Sequence, residues 1–535
     1  MRPRYTWLSI ACTVFTICAF VPVLPAQMDQ RFSTGVARDS SDAVISGGTV
    51  SNQACEARVN DTSERLLECM QRQALWNRLS HFQKIADENP GPDGHGNRDT
   101  GTTGYIASLN YIATLMRRAG YRVTVQPYHY TVSEIIGVPQ FATPDESYAS
   151  RDWFVARLSG GGTLTGSIQP SSSSGSGCFP EEFAGFVRGN IALLQRGTCT
   201  FDTQVENAER AGASAVILYN KQRAMQDEDG IAANHGSNSH GAFRARLKRP
   251  AAIPVIGVVS FAVGSGLYQR YTAGTAPAVH LDIRTRRKSG TDYNLIAESR
   301  SGDPNQVVVV DAHLDSIFGA GILDNASGST TALEIALKLA KTPTRNQLRY
   351  IWFGGEEIGL LGSSYYTQHL SRAERRRIAF DLDVDVTATP NFDYLVADPA
   401  FASNVKNFPK NVVPESKIGN QFFADFFSSN KVPSLSASFG NDGTDSNSFS
   451  LVGIPNTGIL TQQDCCKEAW EVKIWGGVRG NYEGKIPSFN GGCVDNPNRW
   501  CDNLSNNDPA VLELASKATA YVTLKLANHP FAVPR

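Results

Sequence analysis

Residues 307–328 read VVVVDAHLDSIFGAGILDNASG. Four valines in a row match a strand buried on both faces, as in a parallel sheet covered by helices. The acids that follow need another reason. A charged side chain is costly to bury unless it is paired or binds a metal. Asp311, His313, Asp315 and Asp324 are crowded within and just beyond one apolar strand.

The flanking sequence repeats the pattern. NLIAES reads as a strand, STTALEIALKLAK as an amphipathic helix, NQLRYIWFGGEE as a strand ending in acids and SSYYTQHLSRAERRRI as a helix. Strands alternating with helices predict an α/β fold with a mixed, mostly parallel sheet flanked by helices. In such sheets sites gather at the carboxyl ends of strands, where His313 and the pair Glu356-Glu357 fall. Upstream, LWNRLSHFQKIADE and YIASLNYIATLMRRAG read as helices, with Gly120 as the C-terminal cap of the second, and YRVTVQPY alternates like a strand.

These residue types suit a hydrolytic zinc site, which uses imidazole nitrogen and carboxylate oxygen. His313 supplies the imidazole. Asp315 stands two residues on, placed to orient it from behind. Asp324 precedes a helix and has two oxygens with which to bridge two ions. Glu356 and Glu357 are adjacent at a strand end, so one can bind metal while the other takes a proton. There is no G-x-S-x-G elbow for a serine hydrolase and no H-E-x-x-H for a zincin.

Two resemblances follow from longer motifs. GNIALLQRGTCTFDTQVENAERAGASAVILYN resembles the protease-associated (PA) domain, a non-catalytic module that covers peptidase sites or helps select substrates. GDPNQVVVVDAHLDSI, GILDNASGSTTALEIA and WFGGEEIGLLGSSYY resemble the secreted zinc aminopeptidases of peptidase family M28, in the form that carries a PA insertion, such as leucine-type aminopeptidases. The resemblance covers about Leu75 to the C-terminus. It implies a zinc exopeptidase-like fold with an inserted β-rich PA domain. It also implies that His313 binds the first zinc, Asp324 bridges two, Glu357 binds the second and Glu356 is the general base. The next ligand is an aspartate before a Ser-Pro-Asn-like turn. Asp381, Asp383 and Asp385 are available, and the spacing to Pro390-Asn391 favours Asp385. A free substrate amino terminus would lie against the acids, which favours exopeptidase action.

The pattern breaks at the last ligand. The family carries a histidine in a stretch resembling Cys-Tyr-His-x-x-Cys-Asp, and CVDNPNRWCD places Asn498 there. The only histidines after Glu357 are His369 and His529. An amide oxygen is a poorer zinc ligand than imidazole. Two zinc ions are therefore the family expectation and one is an alternative. Two further alternatives are a catalytically impaired peptide-binding ectodomain on the same fold and a single-zinc glutaminyl cyclase-like enzyme.

The 535 residues include 41% hydrophobic and 19% charged, with a formal net charge of -1. That composition predicts a globular chain with a large core and gives no electrostatic reason to expect nucleic acid or an anionic membrane as partner. Arg2 and Arg4, a short apolar run and Ala26 make a secretory signal pattern. The expected organisation is a signal peptide at 1–26, a leader or propeptide-like segment at 27–74, the first part of the peptidase domain at 75–129, the PA insertion at 130–285 and the rest of the peptidase domain at 286–535. Eight cysteines remain after signal removal, an even number suited to disulfides in an exported chain. Cys55–Cys69 and Cys178–Cys199 are expected pairs, while Cys465, Cys466, Cys493 and Cys501 pair among themselves. Asn60, Asn325 and Asn503 lie in N-x-S/T sequons. The expected protein is secreted or periplasmic, monomeric and free of the membrane, acting on peptides with a free N-terminus.

Overall fold

The computed structural model describes residues 50–91, 94–148, 153–172, 175–197, 199–220, 242, 245, 247, 249–317, 319–402, 404–437, 444–463, 465–483, 493 and 501–531. The signal-peptide reading of 1–26, the start of the leader-like segment, and Asn498 all fall outside these residues.

An eight-stranded sheet forms the main body. From one edge to the other its strands are Arg122–Ile135, Thr285–Glu298, Asn346–Phe353, Asp303–His313, Ile378–Val384, Asn456–Leu460, Leu395–Ala397 and Leu435–Ala437. The central strands Asn346–Phe353, Asp303–His313, Ile378–Val384 and Asn456–Leu460 run parallel, and the first two of the series run antiparallel. The sheet is thus mixed, with a parallel centre, as the alternating pattern predicts.

The valine run shows why the centre must be apolar throughout. Val308 and Val310 face a core built with Leu79, Phe82, Leu109, Leu333 and Leu512, from helices on one side of the sheet. Val307 and Val309 face the other side, with Ile351, Phe353, Tyr366 and Phe449. All four are fully buried, and each contributes on the order of 1.5 kcal/mol by leaving water. Helix Thr103–Ala119 starts where the Thr102 hydroxyl accepts the Tyr105 N–H and stops at Gly120, φ 98°.

Residues 52–69, read from the sequence as leader-like, form helices Asn52–Ala57 and Ser63–Cys69. Leu66 and Met70 join the main core, and the buried Asn60 amide donates to the carbonyls of Cys55 and Lys338 at 2.8 and 2.7 Å. This segment is part of the packed body, joined by the Cys55–Cys69 disulfide.

A second, seven-stranded sheet is built from residues between Gln140 and Ile283. Strands Gly162–Pro170, Ile191–Gln195, Ala215–Tyr219 and Val255–Val259 run parallel in that order, and helix Phe201–Ala211 connects two of them. The Cys178–Cys199 bond forms as expected, and among the last four cysteines, whose pairing the sequence leaves open, Cys493 joins Cys501. The side chains of Cys465 and Cys466 lie outside the described set. No helix among the described residues is long and apolar enough to cross a membrane.

Candidate active site

Parallel register brings the acids to the histidine. Asp311 pairs with Asp383 across the adjoining strands. Side chains alternate along a strand, so Asp311 and His313 share one face with Asp381, Asp383 and Asp385. At the strand ends the His313 Nε2 atom lies 3.3 Å from Asp385 Oδ1. It lies 2.8 Å from Oδ1 of Asp324, which comes from the next loop. Asp324 sits in an irregular turn over residues 322–327, with an extended backbone (φ −113°, ψ 101°), before helix Gly328–Leu339.

The other ring nitrogen fixes the tautomer. His313 Nδ1 lies 3.0 Å from the backbone carbonyl of Asp315, an acceptor only, so Nδ1 carries a hydrogen. The Asp315 carboxylate is farther, 3.6 Å away. Asp315 thus orients the ring through its carbonyl, while its carboxylate makes other contacts. It accepts the N–H groups of Glu356 and Glu357 at 3.2 and 3.3 Å and the Thr100 hydroxyl at 2.9 Å.

Nε2 therefore points at two carboxylate oxygens, neither of which receives a hydrogen bond from another donor among the described residues. A neutral imidazole would set its lone pair against theirs. The position requires positive charge, as a proton or a metal ion. Burial alone would push the imidazole pKa down, but Asp385, Asp315 and Asp324 together raise it well above its ordinary value. Burial, then Asp385, pushes the Asp324 carboxyl up to about 6.

Two groups have metal-ligating geometry: His313, Asp324 and Asp385, and His313, Glu356 and Glu357. In each, one ligand atom per residue lies within 4.8 Å of the others. His369 stacks on Tyr365, and His529 packs beside Phe422 and Phe531. Neither belongs to these groups.

Not every acid on this face belongs to the site. Asp311, the first acid after the valines, turns to Asp381. Burial pushes both carboxyls well above the ordinary range, and the neighbouring charges, Asp381 for the one and Asp383 for the other, add to the rise. Asp383 accepts the Ser446 N–H at 2.9 Å, and burial, then Asp385, takes its pKa to about 7.

Several contributors escape a sequence reading. The buried Asp445, at the head of helix Ser446–Leu451, is charge-coupled to Glu356, Asp383 and His313. Asp502 accepts the N–H groups of Leu323 and Asp324. Arg98 is fully buried and donates to the carbonyls of Leu314, Ala320 and Gly321 at 2.6, 2.9 and 2.8 Å, clasping the loop between His313 and Asp324. Asp99 accepts the Ser316 hydroxyl at 2.8 Å. The turn-rich stretch GHGNRDTGTTG carries Arg98, Asp99 and Thr100 together. That clustering is the only local signal they give.

Comparison with known proteins fits this geometry. Residues 294–522 match the peptidase family M28 model and residues 164–267 match the PA domain. An aminopeptidase of Pseudomonas aeruginosa (strain UCBPP-PA14) is 32% identical over 482 residues, covering 86% of this chain and 81% of that protein. The chain belongs to peptidase family M28. It is an aminopeptidase of that family and carries a PA domain. Two solved structures share the fold. The aminopeptidase from Aneurinibacillus sp. strain AM-1 has a TM-score of 0.65 at 20% identity, covering 89% of this chain and 98% of its own. BSAP, a zinc aminopeptidase from Bacillus subtilis, has a TM-score of 0.56 at 21% identity, covering 86% and 96%.

Proposed function

We propose that the protein is a secreted zinc aminopeptidase that removes single residues from the free N-terminus of peptides, with Glu356 as general base. One observation carries the reading: His313 Nε2, its hydrogen committed on the other side of the ring, faces Asp324 and Asp385 with no other donor to those oxygens among the described residues. Imidazole with carboxylates is the donor set of a hydrolytic zinc site. His313, Asp324 and Asp385 would hold a first ion, and Glu357 and Asp324 would contribute to another. Asn498, outside the described residues, is the proposed replacement for the family's last histidine, and an amide oxygen there would hold a second ion less tightly than imidazole. Zinc bound there supplies Lewis acidity to an attacking water and to the scissile carbonyl.

The remaining chemistry falls to the chain. Glu356 accepts a proton from the water as its oxygen bonds to the carbonyl carbon. It returns that proton to the leaving nitrogen as the C–N bond breaks. A free substrate amino terminus would lie against the acidic cluster around His313, and a blocked N-terminus would not. The signal pattern at 1–26 and the disulfides support export.

The test is hydrolysis of leucyl-p-nitroanilide, and of other aminoacyl anilides, by the purified protein. Cleavage of the free-amine substrate and not its N-acetyl form, abolished by a chelator and restored by zinc, is the expected result. No cleavage of any anilide with zinc supplied would reject it.

A further inference from the structure

The loop that carries the acidic pair is strained and held from outside. Gly355, Gly359 and Leu360 have φ of 68°, 116° and 57°. The last is a left-handed conformation that costs a leucine free energy and persists only where surroundings impose it. On one side the imposing group is Asp315, which accepts the N–H groups of Glu356 and Glu357. On the other side it comes from the insertion. Arg157 Nη1 donates to the backbone carbonyl of Glu357 at 2.8 Å. A Cβ built on Gly359 would lie 2.9 Å from Arg157 Nη2, so the glycine leaves room for the guanidinium as well as for the turn.

Arg157 sits on a firm mount. Its own N–H donates to the Ala245 carbonyl, and the Ala156 N–H to Val255, both at 2.9 Å. Val155 forms a bridge to Ile256, and the Ser159 hydroxyl accepts the Val255 N–H at 2.8 Å. Leu158, the next residue, adopts φ 59° while buried in the second domain's core. The arginine is itself buried, with 6% exposure.

We propose that Arg157, on the segment just before the PA-matched residues 164–267 and packed on their sheet, is a positioning residue for the acidic pair, fixing the Glu357 carbonyl and thereby coupling the seating of the insertion to the metal site. The Glu357 backbone is held on both sides, its N–H by Asp315 of the peptidase body and its carbonyl by Arg157 of the insertion. The inference rests on the metal-site reading above. It makes the PA domain a structural part of the active centre as well as a cover.

The test uses the full-length protein with Arg157→Met, Arg157→Lys and a control, Arg270→Ala. Arg270 pairs with Asp145 within the insertion at 2.8 Å. Zinc affinity is measured by competition with a chelator, beside kcat, KM and melting temperature. Arg157→Met is expected to weaken zinc binding or lower kcat by roughly tenfold or more, the usual effect of losing a group behind a metal ligand, with KM within about twofold. Arg157→Lys, which keeps a charged donor, recovers part of the loss, and Arg270→Ala keeps wild-type affinity and kcat. Unchanged affinity and kcat in Arg157→Met would overturn the proposal. So would a rise in KM alone, which would mark a substrate contact, or equal losses in Arg270→Ala, which would mark general destabilisation. Wild-type protein that binds no zinc would overturn both this inference and the functional reading. Wild-type protein that binds zinc, with variants that bind it equally and share its kcat, sinks this one alone.

Discussion

Asp502 holds Asp324 by the backbone. Its carboxylate accepts the Asp324 N–H at 3.1 Å and the Leu323 N–H at 2.7 Å, from a position 178 residues downstream in sequence. The turn that presents Asp324 to His313 is therefore fixed by the segment just after the Cys493–Cys501 disulfide. Asp502→Ala removes both acceptors and should weaken zinc binding by roughly 10–100-fold. Asp502→Asn keeps one acceptor oxygen and should lose less. Isothermal titration of the zinc-free variants checks this, and equal affinity in all three proteins would show that the turn holds itself.

Arg98 does the same for the other half of the loop. Burial lowers its pKa to about 10, against the opposing pull of Asp502, Asp315 and Asp99. Arg98→Met would strand the buried carbonyls of Leu314, Ala320 and Gly321 and leave acids without their counter-charge. A loss of about 3–5 kcal/mol is expected, as for breaking a buried charge pair from one side. Denaturant unfolding of the zinc-free protein measures it, and a loss below about 1 kcal/mol would mean that water replaces the guanidinium.

The sequons divide by burial. The Asn60 amide spends both hydrogens on backbone carbonyls and has no exposed surface. Asn325 is fully buried too, donating to Val384 and accepting from Gly328, each at 2.8 Å. Asn503 is partly exposed, and its oxygen accepts from Ser505. Expressed in a glycosylating host, active protein should carry glycan at Asn503 and at neither of the others. Peptide mass spectrometry after enzymatic deglycosylation decides it, and a glycan on Asn60 of active protein would contradict the packing of residues 52–69.

What the sequence discloses follows from how far each signal travels. The valine run, the adjacent glutamates and the position of Asp385 before Pro390-Asn391 are local patterns: the valines fill a central strand, and the glutamates and Asp385 fall just past the ends of strands Asn346–Phe353 and Ile378–Val384. Asp311 is equally visible, but its partner is set by strand register, which a single strand does not encode. Arg98 and Arg157 act on carbonyls 216 and 200 residues away. A backbone carbonyl has no residue type, so nothing in the chain advertises those contacts. Residues 52–69 look like leader because they are polar, yet a disulfide and a few apolar side chains suffice to dock them.

Asp292 gives a pH signature away from the metal-ligating groups. Burial, reinforced by Asp315, raises its pKa from 3.8 to about 7, although it accepts the Gly101 N–H at 2.7 Å. Below about pH 4 the group is protonated in both folded and unfolded chains. Between that and about pH 7 the folded state binds more protons, so stability falls as pH rises through this window and levels off above it. Asp292→Asn should flatten that part of the melting-temperature profile. An unchanged slope in the variant would assign the pH dependence to other groups.

The adjacent glutamates should separate by function. Glu357 is proposed to hold metal and Glu356 to move the proton, although both lie in one metal-competent group with His313. Glu356→Gln should keep the bound zinc and lose activity by roughly 10²–10⁴-fold, the usual contribution of a positioned base. Glu357→Gln should lose zinc first, and added zinc should recover part of its activity. Zinc content by atomic emission, measured beside kcat, distinguishes them. If Glu356→Gln loses zinc while Glu357→Gln retains it, the two roles are exchanged. If both retain zinc and activity, a different group takes the proton, and Asp445, charge-coupled to Glu356 and His313, is the first to test.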